Sequence, residues 1–361
     1  MNLDERGRRA AAGIRRAVGE PGAVWDADAD PLGRFDRARR ARARRQRVAS
    51  GVVALAVASL AAVLLFSSFF PRGERSPANG ALPPGTILYG EWDQRTSVAH
   101  WYTIATDGSN RTDLGIDASC AVWFPDGGRI LVTNDARFTA TSPLRPAVID
   151  PDGSNRRPLD AVDDPDLNLG CGDVSPDGRR IVLEGFGHQD NRRNGIYTVR
   201  ATDGGDLVRL TTGFDGPPSY SPEGSQVVFM RTRPGIQPDG AGALFVVDAD
   251  GGRPVRITPW GASFIDNAWS PDGEWIVFQR PYGQLFLVHP DGSDLHRMPL
   301  ELPQGAGART ASWSPDGQWI VFSMQRARGA TIWAVRPDGS GLRPVTTSRG
   351  ADVISPSWAN R

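Results

Sequence analysis

A tight-turn motif recurs five times in this 361-residue chain. Each copy reads Ser-Pro-Asp-Gly or a close variant, and a β-branched apolar triplet begins three residues after the glycine. The five prolines are 51, 46, 49 and 44 residues apart. Proline presets φ for a turn, aspartate bonds back to its own backbone, and glycine takes the positive φ that other residues avoid. The predicted turn residues are Pro125, Asp126, Gly127, Pro176, Asp177, Gly178, Pro222, Glu223, Gly224, Pro271, Asp272, Gly273, Pro315, Asp316 and Gly317.

A second pattern, an apolar strand that ends in Asp-Gly, occurs six times. Its copies cover residues 101–108, 147–153, 196–204, 244–251, 285–292 and 331–339. A short segment with Arg and Leu or Val usually follows, as in residues 207–211. Each period of about 45 residues therefore predicts four short strands, and four-stranded units at this period are typical of β-propeller blades.

The best-formed copies of the first motif carry a family resemblance. Trp269-Ser270-Pro271-Asp272-Gly273 precedes Ile276-Val277-Phe278, and Trp313-Ser314-Pro315-Asp316-Gly317 precedes Ile320-Val321-Phe322. Over roughly residues 86–361 the chain resembles the PD40, or WD40-like, repeats of the TolB C-terminal β-propeller family. The resemblance implies that the Pro-Asp-Gly and Asp-Gly turns share one face of the propeller and that the variable links lie on the other.

The number of blades follows from a mismatch between the two patterns. Six Asp-Gly hairpins but only five Pro-Asp-Gly turns leave one inner strand missing at the start. Ser355-Pro356-Ser357-Trp358 supplies it, because it matches Thr310-Ala311-Ser312-Trp313 at a distance of 45 residues. We therefore predict an all-β, six-bladed β-propeller closed by the C-terminal strand, which removes the exposed sheet edges of an open array.

An uncharged apolar stretch, residues 48–70, precedes the repeats. As a helix it would span roughly 34 Å, enough to cross a ~30 Å hydrocarbon core. A buried soluble helix and a cleaved signal peptide are the alternatives, but the stretch is long and 47 residues precede it. We expect a cytoplasmic Arg-rich segment at 1–47, a transmembrane helix at 48–70, a Pro/Gly/Ser linker at 71–85 and the propeller at 86–361.

The arginines beside this stretch predict its orientation. Residues 1–47 contain 13 Arg and 7 acidic residues, whereas residues 71–361 contain 28 Arg and 34 acidic residues. Arginine next to a membrane helix stays cytoplasmic, so we expect the propeller on the outer side of a bacterial plasma membrane. A nucleic-acid patch is the alternative for the arginine run, but beside a membrane helix it indicates orientation and anionic lipid, and we expect no nucleic-acid partner.

No catalytic arrangement emerges from the residues. The chain lacks G-x-S-x-G, and its four histidines are scattered without ligand-spaced partners. Asp150-x-Asp152-Gly153 and Asp248-x-Asp250-Gly251 lack the third acidic position and the closing glutamate of a calcium loop. We therefore predict no catalytic residues, no metal and no cofactor.

The variable links are the candidate binding surface. They comprise residues 158–170, 210–217, 231–242, 257–266 and 298–310, and loop variation on a rigid scaffold favours a partner or ligand at the channel mouth. Merely solvated loops are the alternative. The candidate binding residues are Asp160, Asp163, Asp164, Asp166, Phe214, Asp215, Trp260, Phe264 and Asp266.

The two cysteines occupy equivalent positions in neighbouring repeats. Cys120 and Cys171 each lie five residues before a turn proline. Export would permit a disulfide, but equivalent positions on adjacent blades can also lie beyond the ~7 Å Cα limit. A bridge and two buried thiols both stay open.

These features predict a non-catalytic, membrane-anchored propeller that binds an envelope protein or small ligand. One alternative is a transmembrane signalling protein whose residues 1–47 engage a cytoplasmic regulator such as a sigma factor, although that segment lacks the His and Cys of a zinc-containing anti-sigma domain. The other is a propeller enzyme that acts on sugars or lactones through carboxylates at the channel mouth.

Overall fold

The computed structural model describes residues 81–93, 98–133, 144–162, 164–187, 191–233, 241–261, 266–280, 283–327, 329–346 and 352–359. They belong to one compact unit, Ser76–Arg361. Residues 1–80 lie outside this set, and with them the predicted cytoplasmic segment, the transmembrane segment and most of the linker. Within the described ranges no helix has the length and apolar character needed to cross a membrane.

The described chain forms six four-stranded antiparallel sheets, each a blade. Blade 1 begins with β1 (Thr86–Asp93), β2 (Val98–Ala105) and β3 (Thr112–Ala118). Blade 2 contains β4 (Cys120–Trp123), β5 (Ile130–Thr133), β6 (Ala147–Ile149) and β7 (Arg157–Pro158). Blade 3 contains β8 (Leu167–Val174), β9 (Arg180–Gly187), a short 3-10 helix (Asn191–Arg193), β10 (Gly195–Arg200) and β11 (Val208–Arg209).

The remaining blades repeat this order from the inner strand outwards. Blade 4 contains β12 (Ser219–Tyr220), β13 (Gln226–Thr232), β14 (Gly242–Asp248) and β15 (Val255–Arg256). Blade 5 contains β16 (Asn267–Trp269), β17 (Ile276–Arg280), β18 (Gln284–Val288) and β19 (His296–Arg297). Blade 6 contains β20 (Gly307–Trp313), β21 (Ile320–Arg326), β22 (Gly329–Val335) and β23 (Arg343–Pro344), and β24 (Asp352–Trp358) completes the set.

The last strand closes the ring, as the sequence predicts. β24 is the inner strand of blade 1, in the order β24-β1-β2-β3. Ile87 lies opposite Trp358, and Glu91 lies opposite Val353. A Cβ added to Gly85 would lie 2.4 Å from Nε1 of Trp358, so the chain passes the closing indole where only glycine fits. The six-bladed, strand-exchanged propeller is confirmed, and residues 86–358 form all of its strands.

The core lies between the blades. The apolar triplets after the five Pro-Asp-Gly turns form the second strands of blades 2 to 6, and Ile181, Val182 and Leu183 are all fully buried. Neighbouring blades cover both faces of these strands, which is why the triplets are continuously apolar instead of alternating. Because each blade packs its apolar side chains against both neighbouring blades, the ring is rigid and the inner strands are held in fixed positions.

The five predicted turns form with one shared geometry. The amide of Gly178 donates to the carbonyl of Ser175 at 2.8 Å, and Gly178 has a φ of 68°. The hydroxyl of Ser175 donates to Asp177 at 2.6 Å and accepts from the amide of Arg180 at 2.9 Å. Phe124 replaces this serine in blade 2, yet the turn closes through the amide of Gly127 at 2.8 Å.

Candidate functional site

The antiparallel order of the strands divides the propeller into two faces. Turns between the first and second strands of a blade, and between the third and fourth, lie at one end, which we call the turn face. Links between the second and third strands, and between successive blades, lie at the other end, the loop face. The predicted candidate residues therefore belong to links of the loop face.

A central channel of about 600 Å³ runs between the six inner strands. Its lining includes Asp173 and Asp266 and contains no arginine or histidine among the described residues. The channel is therefore an acidic cavity within the described part of the chain. The described residues include no group of three or more His, Cys, Asp or Glu arranged to hold a metal ion.

Side chains of the inner strands tie neighbouring blades together around this channel. One carboxylate oxygen of Asp173 accepts the amide of Tyr220 in the next blade at 2.9 Å, and the other accepts the amide of Val174 at 2.8 Å. Burial raises the pKa of Asp173 to about 6, although both amide hydrogen bonds favour the ionised form. The side chain of Asp173 thus gives hydrogen-bond acceptors to two backbone amides of the inner strands, which have no further strand on the channel side to pair with.

A disulfide links blades 2 and 3 at the channel wall. Cys120 and Cys171 are bonded, with their Cα atoms 5.6 Å apart. Both cysteines line the channel. The position equivalent to these cysteines is Asp266 in blade 5, Thr310 in blade 6 and Ser355 in blade 1. Blades 6 and 1 are also linked at this position, because the amide of Ser355 donates to the hydroxyl of Thr310 at 3.1 Å.

Two carboxyl groups near the disulfide have raised pKa values. The inner strand β8 bulges between Leu169 and Gly172, and Glu184 on β9 accepts the amide of Cys171 at 3.1 Å across this bulge. Burial, reinforced by the charge of Asp266, raises the pKa of Glu184 to about 7. Burial raises the pKa of Asp266 to about 6.

The predicted acidic cluster of the 158–170 link is partly neutralised. Asp164 forms an ion pair with Arg193, and Asp166 lies 3.7 Å from the same guanidinium. The buried Arg145 also donates to the carbonyl of Asp164 at 2.6 Å. Asp160 and Asp166 are exposed, whereas Asp163 lies outside the described residues.

The other candidate residues separate into three environments. Phe214 is exposed, but the carboxylate of Asp215 is buried and bonds to Arg231 at 2.6 Å, so Asp215 holds the loop in place and offers no charge to a partner. Trp260 is half-buried beside Phe245. Asp266 opens into the channel, and Phe264 lies outside the described residues.

Sequence reasoning missed Asp173, Glu184 and Arg193. The repeats contain a signal for Glu184, because it follows the apolar triplet where the other blades carry Gly90, Thr133, Met230, Gln279 and Ser323. A charged residue at one copy of a buried strand position indicates a special environment. Arg193 offers no such signal, since its partner Asp164 lies in a different link of the blade.

Comparisons with known proteins agree with this architecture. TolB from Acinetobacter baumannii is 22% identical with a TM-score of 0.59, and the match covers 76% of this chain and 66% of that chain. A putative TolB from Agrobacterium tumefaciens is 17% identical with a TM-score of 0.54, covering 75% of this chain and 92% of that chain. Hydrazine synthase from Kuenenia stuttgartiensis is 12% identical with a TM-score of 0.61, covering 81% and 51%. At these identities the likeness is one of fold.

The sequence gives a more specific match. The model of the TolB beta propeller domain, PD40, matches residues 132–361. This match spans more than half of the chain and covers the last four complete blades, including the closing strand. The chain therefore belongs to the TolB beta-propeller domain family.

Proposed function

We propose that this protein is a non-enzymatic binding protein of the bacterial cell envelope. Residues 48–70 anchor it in the plasma membrane, residues 1–47 stay in the cytoplasm, and the propeller faces outwards. The loop face and its channel mouth bind a protein partner or small ligand. Family membership supports the binding role, and the arginine-rich flank of residues 48–70 supports the orientation.

The acidic channel mouth is the observation that carries the binding proposal. Asp266 ends the 257–266 link and lies in the channel lining, so a carboxyl group sits where the loop face meets the channel. Asp160 and Asp166, both in the 158–170 link between blades 2 and 3, are exposed. A partner that inserts a basic side chain would complement these carboxylates in a site walled off from bulk water, where charge pairing is strengthened.

Capture from envelope extract with tagged residues 76–361 tests the binding proposal. The combined variant Asp160→Asn, Asp166→Asn and Asp266→Asn should lose the partner without unfolding. Asp250→Asn, which changes an exposed carboxylate on the turn face, is the matched control and should keep it. Equal capture by all three proteins would contradict a role for the loop face.

Protease protection tests the anchoring separately. Protease added to intact spheroplasts that contain the full chain should digest residues 71–361 and spare residues 1–47. Protection of the propeller, with digestion of the N-terminal segment, would reverse the proposed orientation.

An enzyme is the second candidate, and the observation that favours it is the interacting pair of carboxyl groups on Asp266, in the channel lining, and Glu184, buried and outside that lining. A carboxyl group with a pKa of about 7, near a second carboxyl on Asp266, can act as a general acid or base at neutral pH. Sugars or lactones that enter the channel would be its substrates. Loss of turnover in Glu184→Gln, with the fold intact, would support this reading.

A further inference from the structure

Six equivalent residues, one from each blade, surround the mouth of the channel at the loop face. Each lies three residues before the residue that ends its inner strand, and all six belong to the channel lining. We call them the mouth ring, which comprises Cys120, Cys171, Pro217, Asp266, Thr310 and Ser355. Inner strands run from the loop face to the turn face, so a ligand that enters from the loop face meets these residues first.

Four members of the mouth ring are already joined in pairs. Cys120 and Cys171 form the disulfide between blades 2 and 3. The hydroxyl of Thr310 accepts the amide of Ser355 at 3.1 Å between blades 6 and 1. The proline of blade 4 has no polar side-chain atom. Asp266 of blade 5 is therefore the member of the ring that offers a charged side chain to the channel.

The carboxylate of Asp266 is half-buried at the channel wall and lacks a partner. No hydrogen-bond donor or cation of the described residues bonds to it, and burial is the sole cause that raises its pKa to about 6. Asp173, also in the channel lining, differs because its two oxygens accept the amides of Tyr220 and Val174. A carboxylate enclosed by protein without a partner is destabilising, and a cation from outside the chain would offset that effect.

The basic side chains around this carboxylate do not supply the cation. The channel lining contains no arginine or histidine among the described residues. On the same blade, the guanidinium of Arg280 lies 4.9 Å from the ring centre of Phe286. On blade 4, Arg231 is bonded to the buried Asp215, and on blade 6, Arg309 is exposed. The mouth ring therefore keeps an unmatched negative charge when its carboxyl group is ionised.

Glu184 of blade 3 lies behind the mouth ring and responds to the charge of Asp266. Its side chain is outside the channel lining, and one of its oxygens accepts the amide of Cys171 at 3.1 Å. Burial, and then the charge of Asp266, raise the pKa of Glu184 to about 7. A cation bound at Asp266 would lower the pKa of both carboxyl groups, because it favours their ionised forms. Cation binding and loss of protons are therefore coupled.

The chemistry of the mouth ring fits an ammonium group better than a metal ion or a guanidinium. The described residues bring together no group of three or more side chains that could hold a metal ion. A guanidinium carries five N–H donors, whereas a primary ammonium carries three. The hydroxyl of Thr310 and both oxygens of Asp173 already accept amides, so an ammonium would leave fewer donors unpaired inside the channel.

We propose that Asp266 binds the primary ammonium group of a lysine side chain or of a free alkylamine, and that ionisation of Glu184 strengthens the complex. This inference deepens the proposed function and rests on it, because it names the chemistry recognised at the same channel mouth. Affinity should rise with pH, since both carboxyl groups lose their protons between pH 5 and pH 8. An alkylammonium, with a pKa of about 10.4, stays charged over this range.

An NMR titration of residues 76–361 with two amines tests the proposal. Closure of the ring by residues 86–358 lets this fragment fold alone. The probes are n-butylamine and N-acetyl-lysine methylamide. Both should bind at pH 8, and their affinity should fall at pH 5 and as salt is raised. Tighter binding of the lysine derivative would assign the ammonium to a protein partner, and tighter binding of n-butylamine would assign it to a free alkylamine.

Variants of the two carboxyl groups separate their roles. Asp266→Asn should lower the affinity at pH 8 about tenfold and remove most of its pH dependence, whereas Asp266→Glu, which keeps the charge, should retain that dependence. Glu184→Gln should lower the affinity at pH 8 about threefold and confine the pH dependence to the acid side of neutrality. Asp250→Asn, at an exposed carboxylate of the turn face, is the matched control and should leave the affinity unchanged.

Three outcomes would overturn the proposal. They are equal affinity at pH 5 and pH 8, unchanged affinity in Asp266→Asn, and equal binding of n-butylguanidine or of calcium ions. Partner capture is a separate measurement. If the amines fail to bind while the combined variant of the proposed function still loses its partner, this inference is wrong and the proposed function stands. If Asp266→Asn loses the amines while the combined variant captures its partner normally, the proposed partner binding is wrong.

Discussion

Trp358 lies opposite Ile87 in the register of β24 and β1, so the two ends of the propeller domain share one blade. Trp358 is 5% exposed and Ile87 is fully buried. The pair belongs to the apolar cluster between blades 6 and 1, together with Tyr89 and Val353. Ring closure therefore depends on a short terminal segment whose contribution to stability exceeds its share of the chain.

Deletion of residues 354–361 should open the ring. The deletion removes a buried aromatic side chain, worth ~3–5 kcal/mol, from a domain whose total stability is about 5–15 kcal/mol. It also leaves β1 and the inner edge of blade 1 unpaired, so the domain should become protease-sensitive and prone to aggregate. Thermal melting and limited proteolysis measure the effect. Deletion of residues 1–3 is the control, and an unchanged melting temperature in the C-terminal deletion would contradict the closure.

The Cys120–Cys171 bridge should resist labelling and stabilise the domain. The two cysteines are 51 residues apart, and closing a loop of this length in the unfolded chain stabilises the fold by roughly 2–4 kcal/mol. Thiol labelling of the unfolded, unreduced protein should find no reactive thiol, and two reactive thiols would exclude the bridge. The Cys120→Ala, Cys171→Ala double variant should melt at a lower temperature than the oxidised protein and close to the reduced one.

The imidazole of His100 should make blade 1 more stable in mild acid. Its Nδ1 and Nε2 each lie 2.7 Å from a carboxylate oxygen, of Asp117 and Asp113 respectively, so both ring nitrogens donate when the ring is charged. Burial opposes protonation, but these hydrogen bonds outweigh it and raise the pKa of His100 above 6.5. A raised folded-state pKa gives stability that is fully present below the unfolded value and is lost as pH rises through the folded value.

A pH series of urea denaturation, with His100→Gln as the comparison, measures this effect. The wild-type protein should exceed the variant in stability by more at pH 5 than at pH 9. An advantage that does not change across this range would show that His100 does not ionise as the geometry requires. Arg111, which pairs with Glu91 at 3.0 Å in the same blade, stays charged throughout and leaves the comparison unaffected.

Glu184 should also make the domain more stable in acid than above neutral pH. Its pKa is raised to about 7 by burial, so the folded state holds a proton that the unfolded state releases near pH 4.5. Stability therefore falls as pH rises through the interval between these values. Glu184→Gln, which keeps the acceptor for the amide of Cys171, should reduce that fall in a plot of melting temperature against pH. Glu223→Gln, at an exposed turn-face position, should leave the plot unchanged.

Much of this architecture could be predicted because turn chemistry is local. The glycines of the Pro-Asp-Gly turns have positive φ, at 60° for Gly127 and 68° for Gly317, as the motif requires. Repetition of those turns gives the strand order and the number of blades. The match of Ser355–Trp358 to the repeat predicted the closing strand, because the match marks an inner strand and the first blade was the one that lacked its inner strand.

The site depended on contacts that a repeat pattern does not encode. Asp215 looked like a loop carboxylate, but folding places it against Arg231 of the next blade. The charge on Asp164 is balanced by Arg193 from another link, and the two cysteines come within reach only because blades 2 and 3 are adjacent at the channel. The blades follow from the amino-acid sequence alone, because each turn involves a few consecutive residues. Which charged side chains remain unpaired depends on the folded domain, because burial and ion pairing arise where separate blades meet.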